Sequence, residues 1–414
     1  MRRMLRAFPV VLVLLALASL ALLPRRGVTT PLYAARQGLL CQNCHFDPNG
    51  GGPRNEFGFA FAKNRHSLEA DTSGAWKDLD LTNRVGEKFP LYFGVNQRFM
   101  VLADRLSADR GVDLAGFYDM ESALHMAFQP HPRLTLVYTH DGFDSNSRST
   151  REAYGLIGLS DDAYLRAGQF RVPFGLRLDD HTVATRNSFL EAYSDPIRPA
   201  RFLPYDPRGV DRGVELGGTH GIWYGRASIT NGTSHPLLNP INNHAQAFAS
   251  KFGVNVPMYQ SGLSFYDEWS RAQPGGFRVR ATRWGYYGMT HAGPLALLGE
   301  IAAGTDAFTG ANPGDPDVKT NRLAAFAELD WAPARQWNFR VRMDRLEIDR
   351  SSDPVLRDLG TFSRYALEGE VVPVPFAEIR WALRLIDPVA KTDPFSLSTI
   401  RNEKQGFVQF HFSY

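Results

Sequence analysis

The 414-residue chain holds only two cysteines, Cys41 and Cys44, and seven lysines against 39 arginines. Two cysteines three apart leave no disulfide framework and no second pair to complete a four-ligand zinc site. Neither sign of charge dominates. The 46 basic residues face 43 acidic ones, which lacks the basic footprint of a nucleic-acid binder. Beyond residue 23 no apolar run approaches the roughly 20 residues of a spanning helix, so any membrane crossing would need a closed barrel. No Walker loop, nucleophile elbow, zinc-protease helix or dinucleotide fingerprint stands in a supporting context. What is plentiful is aromatic residues, glycine and proline: 28 Phe, 15 Tyr, 37 Gly and 26 Pro. That mixture suits a β-rich protein with many turns.

The N-terminus reads as an export signal. Arg2, Arg3 and Arg6 precede an apolar stretch from Pro9 to Leu23. Cleavage could follow Ala16, Ala18 and Ala21 or fall at Ala34-Ala35, and an uncleaved anchor is the alternative. Residues 1–35 are assigned to this segment.

Directly behind it stands Cys41-Gln42-Asn43-Cys44-His45. A C-x-x-C-H run is how a c-type haem is held: the cysteines form thioethers with the two vinyl groups, and the adjacent histidine ligates the iron. A dithiol redox pair would want a thioredoxin-like βαβ context, which is lacking here. Export and the adjoining histidine favour haem c, one per chain, with Cys41, Cys44 and His45 as its site. The second axial position has three candidates: His66, a methionine from the later sequence (none lies between Met4 and Met100), or water or an open site. The plainer role for His66 is a solvated side chain beside a basic cluster. Residues 36–88 are too few to bury a haem alone. They are therefore expected to pack into a larger structure as a plug, with Phe57, Phe59 and Phe61 excluding water.

Residues 89–414 change period. Trp337, Phe339, Val341 and Met343 alternate with Asn338, Arg340 and Arg342, and Ala377, Ile379, Trp381, Leu383 and Leu385 oppose Glu378, Arg380 and Arg384. Leu323, Ala325, Ala327, Leu329 and Trp331 oppose Glu328 and Asp330, and Phe277, Val279 and Ala281 oppose Arg278 and Arg280. Alternation sustained over about ten residues is the signature of a transmembrane β-barrel. Segments near 92–103, 113–127, 133–142, 152–160, 162–171, 212–219, 221–231, 244–254, 259–269, 276–289, 294–304, 321–332, 336–348, 362–372, 375–386 and 405–414 give about sixteen antiparallel strands, with fourteen or eighteen as alternatives. The segments 177–211 and 304–320 read as long polar loops, and the arginines on charged faces suggest an anion-friendly lumen. The ending Phe407-Val408-Gln409-Phe410-His411-Phe412-Ser413-Tyr414 resembles the terminal strand of bacterial outer-membrane barrels.

Two stretches resemble known families. Ala35-Arg36-Gln37-Gly38-Leu39-Leu40 before the C-x-x-C-H run, and Asn55-Glu56-Phe57-Gly58-Phe59-Ala60-Phe61 after it, are similar to the signature of fused monohaem cytochrome–porins. The best-known members of that family are outer-membrane iron oxidases. Gly168 to Leu176 and Asp211 to Leu216 resemble segments of phosphate-selective-type porins. Two stretches depart from the first family: the glycine-rich Asp47–Gly52 insert and Lys63-Asn64-Arg65-His66. The resemblance implies an outer-membrane porin-cytochrome that carries single electrons, from an extracellular reductant such as Fe(II) to a periplasmic c-type cytochrome or another carrier. Outer-membrane lipid would surround it. An Fe(II)-oxidising activity goes with that expectation. The alternative is a solute porin with a structural or sensory haem plug.

Overall fold

A computed structural model describes residues 33–34, 39–71, 80–105, 113–141, 150–178, 210–232, 246–271, 278–309, 318–349, 361–389 and 402–414. A short strand β1 (Arg84–Val85) is followed by β2 (Leu91–Arg105), β3 (Asp113–His131), β4 (Leu134–Asp141), β5 (Thr150–Gly158) and β6 (Ala163–Phe170). Next come β7 (Asp211–His220), β8 (Trp223–Thr230), β9 (Gln246–Val256), β10 (Tyr259–Arg271), β11 (Arg278–Ala292) and β12 (Leu295–Thr309). The last are β13 (Val318–Ala334), β14 (Trp337–Asp349), β15 (Phe362–Val374), β16 (Ala377–Pro388) and β17 (Glu403–Ser413). From β2 to β17 every strand pairs antiparallel with the next, and β17 returns to β2 with Ser413 opposite Asn96 and Lys404 opposite Arg105. The result is a closed barrel of sixteen strands, with β1 added on the start of β2 through Arg84 opposite Tyr92. Closure removes both sheet edges, so each strand of the wall has a hydrogen-bonded neighbour on either side.

The two ends of the barrel differ. At one, β7–β8, β9–β10, β11–β12, β13–β14 and β15–β16 are joined by two-residue turns, 221–222, 257–258, 293–294, 335–336 and 375–376. Gly221 (φ 58°) and Gly293 (φ 56°) supply the left-handed conformation such hairpins need. Phe376 adopts it too, at φ 64°, and its ring is held between Phe59 and Tyr414, each 5.1 Å away between centroids. At the other end the connections are longer. Residues 179–209 of the polar loop expected over 177–211 lie outside the described residues.

The wall is apolar outside and charged inside, the reverse of a soluble sheet. On β14, Trp337 and Val341 are exposed while Asn338, Arg340, Arg342 and Asp344 are buried. The expected alternation therefore holds for β13, β14 and β16. It is inverted on β11, where Arg280 points outward and Ala281 inward. Arg280 pairs there with the outward Asp267 at 3.1 Å, near the long-connection end of both strands. An outward charge is tolerated most easily toward the ends of a barrel strand.

The lumen arginines do not form the expected anion-friendly surface, because carboxylates face them. Arg364 meets Asp344 at 2.9 Å, Arg342 meets Glu328 at 3.1 Å, Arg322 meets Asp306 at 2.6 Å and Arg384 meets Glu368 at 2.9 Å. Cross-strand register creates these pairs, since opposed residues on neighbouring strands share one face.

Among the described residues, two stretches pack inside the lumen beside the buried Tyr33 and Ala34. Residues 39–71 pack against inward-facing wall residues from the short-turn side. Residues 171–178, which follow β6 directly, bend inward instead of continuing the wall. Val172 and Phe174 bury against Tyr266, Leu346, Ile348, Phe362 and Ile386, while Leu176 and Leu178 join Tyr287, Leu298 and Phe326. Wall hydrogen bonds hold this backbone: Gly175 N to Ser264 Oγ at 2.9 Å, Leu176 N to Glu300 Oε2 at 2.9 Å, and Lys251 Nζ to Gly175 O at 2.6 Å. The loop expected from residue 177 thus begins with an ordered apolar crossing of the lumen.

Candidate functional site

The C-x-x-C-H run folds locally. Cys41–Asn43 form one turn of 3-10 helix, with Leu40 N donating to Asn43 Oδ1 at 2.8 Å. Cys44 N and His45 N both donate to Cys41 O at 3.1 Å, which gathers the two thiols and the imidazole onto a single turn. His45 then bridges antiparallel to Arg54, and Phe46 N donates to Pro53 O at 3.2 Å, so Asp47–Gly52 becomes the tip of a hairpin.

Helix α1 (Glu56–Lys63) closes over this turn. Asn55 is the clamp: its Oδ1 accepts from Gly58 N at 2.9 Å, capping the helix, and its Nδ2 donates to Asn43 O at 3.0 Å. A β-carbon on Gly58 would collide with the Cys44 carbonyl, so only glycine allows this approach. The Asn55 and Gly58 positions of the resemblance therefore have a mechanical meaning. Of the three phenylalanines, Phe59 and Phe61 are buried, whereas Phe57 is 44% exposed. The expectation that all three exclude water is corrected: Phe59 and Phe61 find aromatic partners in the wall and plug, whereas Phe57, in the first turn of the helix, stays half exposed. Phe59 packs on Phe376 and Tyr414, and Phe61 on Tyr33 and His66.

The hairpin tip is locked into the wall. Asp47, fully buried, meets Arg166 of β6 at 2.9 Å and Arg177 of the lumen-crossing segment at 3.2 Å. Arg166 also meets Glu215 of β7 at 2.7 Å, and Asn49 Oδ1 accepts from Arg226 of β8 at 2.8 Å. Burial raises the Asp47 carboxyl, but Arg166 and Arg177 outweigh it and hold it below the ordinary carboxylate range. The two stretches that resemble phosphate-selective-type porins also meet beside this site, with Gly168 opposite Gly213 and Phe170 opposite Asp211 where β6 pairs with β7.

Cys41, Cys44, His45 and His66 line one cavity of about 290 Å³, near the lower end of the roughly 300–1,000 Å³ usual for small-molecule sites. His66 is buried, not solvated. Arg65 (φ 52°) and His66 (φ 58°) are left-handed, which turns the chain back after α1. The His66 ring lies 4.3 Å from Tyr33 and 5.8 Å from Phe61. Burial lowers the pKa of His66 to about 4, and burial followed by Arg54 and Arg177 lowers that of His45 to about 3. Both rings are thus neutral imidazoles, the form that ligates metal. The Nδ1 atoms of His45 and His66 are buried without a hydrogen-bond partner. Burial, then Cys41, pushes the Cys44 thiol up to about 11, opposite to the lowered thiol of a dithiol redox centre.

Sequence reasoning missed the wall side of this cavity, which includes Arg98, Glu121, His125, Glu378 and His411. No local signal marks them. They come from β2, β3, β16 and β17, and only barrel closure brings those strands together.

No protein-family model and no curated protein sequence matches the chain. Among solved structures it is similar to an anion-selective porin from Comamonas acidovorans, with TM-score 0.55 and 10% identity over 79% of this chain and 100% of that one. It is also similar to the outer membrane channel DcaP of Acinetobacter baumannii, with TM-score 0.55 and 9% identity over 79% and 97%. The outer-membrane protein OmpT of Vibrio cholerae gives TM-score 0.53 and 8% identity over 80% and 99%. At these identities the likeness is one of fold: this chain has a porin-type barrel.

Proposed function

We propose that the protein is an outer-membrane porin whose lumen carries a covalent haem c on Cys41 and Cys44, and that this haem moves single electrons. The barrel half of the reading rests on the closed sixteen-strand wall with an apolar exterior, and on its likeness to outer-membrane porins. Taken alone, the comparisons fit a solute porin with a structural or sensory haem plug better than an electron carrier.

One observation carries the electron-transfer half: the C-x-x-C-H turn and a second buried histidine converge on one cavity inside the lumen. The residues fit the group. Both thiols are free, two neutral imidazoles have unpartnered ring nitrogens, and Gly50 avoids the β-carbon that any other residue would place 3.0 Å from Cys41 Cβ. His45 would be the proximal ligand and His66 the distal one. A haem held there supplies a one-electron couple between ferrous and ferric iron. The apolar packing around Phe174 supports the same role, because a water-excluding crossing hinders solutes more than electrons. Short turns face the periplasm in outer-membrane barrels, and the α1 side of the plug lies there. A periplasmic c-type cytochrome or another carrier is therefore the natural partner on that side, with Fe(II) as one extracellular reductant.

The test uses the intact protein purified from outer membranes and placed in vesicles that enclose a one-electron acceptor. Covalent haem in the denatured chain, and vesicle-dependent oxidation of the reduced protein, are the expected results. Both should vanish in Cys41→Ser/Cys44→Ser. Vesicles that swell in sugars or small anions while the haem passes no electrons would establish the solute-porin reading instead.

A further inference from the structure

The cavity wall carries a row of polar side chains across four strands. Glu378 of β16 stands opposite His411 of β17, His411 opposite Arg98 of β2, and Arg98 opposite Glu121 of β3. Glu378 is shared between wall and plug. Its Oε2 lies 2.9 Å from His411 Nδ1, and its Oε1 lies 3.5 Å from His66 Nε2. Arg98 meets Glu121 at 3.0 Å, so the row is charge-compensated on its far side.

His66 reaches Glu378 at a conformational cost. Arg65 and His66 are consecutive non-glycine residues with φ of 52° and 58°, a region L-residues rarely adopt. The turn is held by His66 N donating to Phe61 O at 3.0 Å and by Arg65 Nη2 donating to Asp71 Oδ1 at 2.9 Å. It delivers one ring nitrogen of His66 toward the wall carboxylate. The other, Nδ1, stays buried without a partner, on a residue lining the same cavity as His45.

We infer that Glu378, backed by His411, is the positioning residue for His66 as second axial ligand: the plug supplies the imidazole and the barrel wall sets its orientation and basicity. The inference rests on the haem reading above. A carboxylate behind a ligating imidazole fixes the ring plane and makes the ring a stronger donor, which favours ferric iron. The haem site would then be completed only when the last hairpin of the barrel, β16–β17, is in place.

The experiment compares the purified holoprotein with His66→Ala, Glu378→Ala, Glu378→Gln and His411→Asn, using absorption and paramagnetic resonance spectra with a redox titration. Wild type is expected to be six-coordinate and low-spin. His66→Ala should lose the low-spin signal. Glu378→Ala should weaken ligation by His66 by about 10–100-fold, seen as a high-spin fraction, and raise the potential. Glu378→Gln keeps an acceptor but no charge, so it should stay low-spin with a raised potential. His411→Asn should shift the potential less, in the direction the altered Glu378 contact sets.

A Glu378→Ala protein with wild-type spectrum and potential, beside an altered His66→Ala, overturns the positioning role. An unaltered His66→Ala that still carries covalent haem overturns it too, while leaving the haem reading standing. A wild-type chain with no covalent haem removes the haem reading itself. Heat-modifiable migration reports whether each barrel has folded. If Glu378→Ala fails that check, Glu378→Gln carries the test, and an unchanged potential there counts against the proposal.

Discussion

The lumen is filled by two kinds of chemistry. On the C-x-x-C-H side, Asp47 and Asn49 are gripped by Arg166, Arg177, Glu215 and Arg226 in a buried ionic network. Toward the long-connection end, Val172 and Phe174 lie in an apolar cluster with Ile348, Phe362 and Ile386. The first is directional: it fixes where the hairpin tip sits, because each charge demands a partner at a defined distance. The second is non-directional and excludes water. Together they teach that a porin-type wall can be occupied by sequence that docks through charge on one side and seals through packing on the other.

The comparison can be broken from the ionic side first. Arg166→Ala leaves Asp47 and Glu215 buried without their shared cation and should destabilise the protein by about 3–5 kcal/mol. Thermal unfolding in detergent measures this, and the plug residues should become protease-sensitive before the wall does. Phe174→Ala removes an apolar ring and should cost a similar 3–5 kcal/mol or about that order, with a different signature. Single-barrel conductance should rise in Phe174→Ala through loss of the seal, while the stoichiometry of covalent haem stays unchanged. If both variants raise conductance equally, the division of labour is wrong.

Smaller effects sharpen the picture. Gly58→Ala forces a β-carbon against the Cys44 carbonyl and should cost about 1–3 kcal/mol by overpacking. Reduced haem content per chain, measured on denaturing gels, is its expected readout. Phe57→Ala should change stability by no more than about 0.5 kcal/mol, because its ring is 44% exposed. A large loss there would mean that the exposed face of α1 contacts something further.

Much of the barrel is legible in the chain because alternation reports an environment with two unlike faces. The segment read near 336–348 is β14 (Trp337–Asp349), and that near 259–269 is β10 (Tyr259–Arg271). Alternation alone does not say which face is which, and on β11 the face with Arg280 is the outer one. Arg280 is outward because that part of the strand pairs with Asp267 near the long-connection end, a fact of register and not of local pattern. The lumen arginines mislead for the same reason: their carboxylate partners sit on neighbouring strands.

At the candidate site, Cys41, Cys44 and His45 are legible because their chemistry is written within five consecutive residues. His66 is legible as a candidate only; its burial and left-handed backbone come from the turn after α1. N-terminal processing bears on this region as well. Tyr33 packs on His66 and donates to Glu370 at 3.1 Å, so a mature chain starting after Ala34 would lose those contacts. N-terminal sequencing of the purified protein decides between the two cleavage regions.

The sequence by itself determined the two-faced alternation of the wall and put its strand count near sixteen, because side-chain alternation acts over a few residues. Only the tertiary structure decided what faces the cavity. Glu378, His411, Arg98 and Glu121 lie far apart along the chain, and they meet because β17 closes on β2 and sets their register. Closure is a property of the whole sheet, and no stretch of sequence carries it alone.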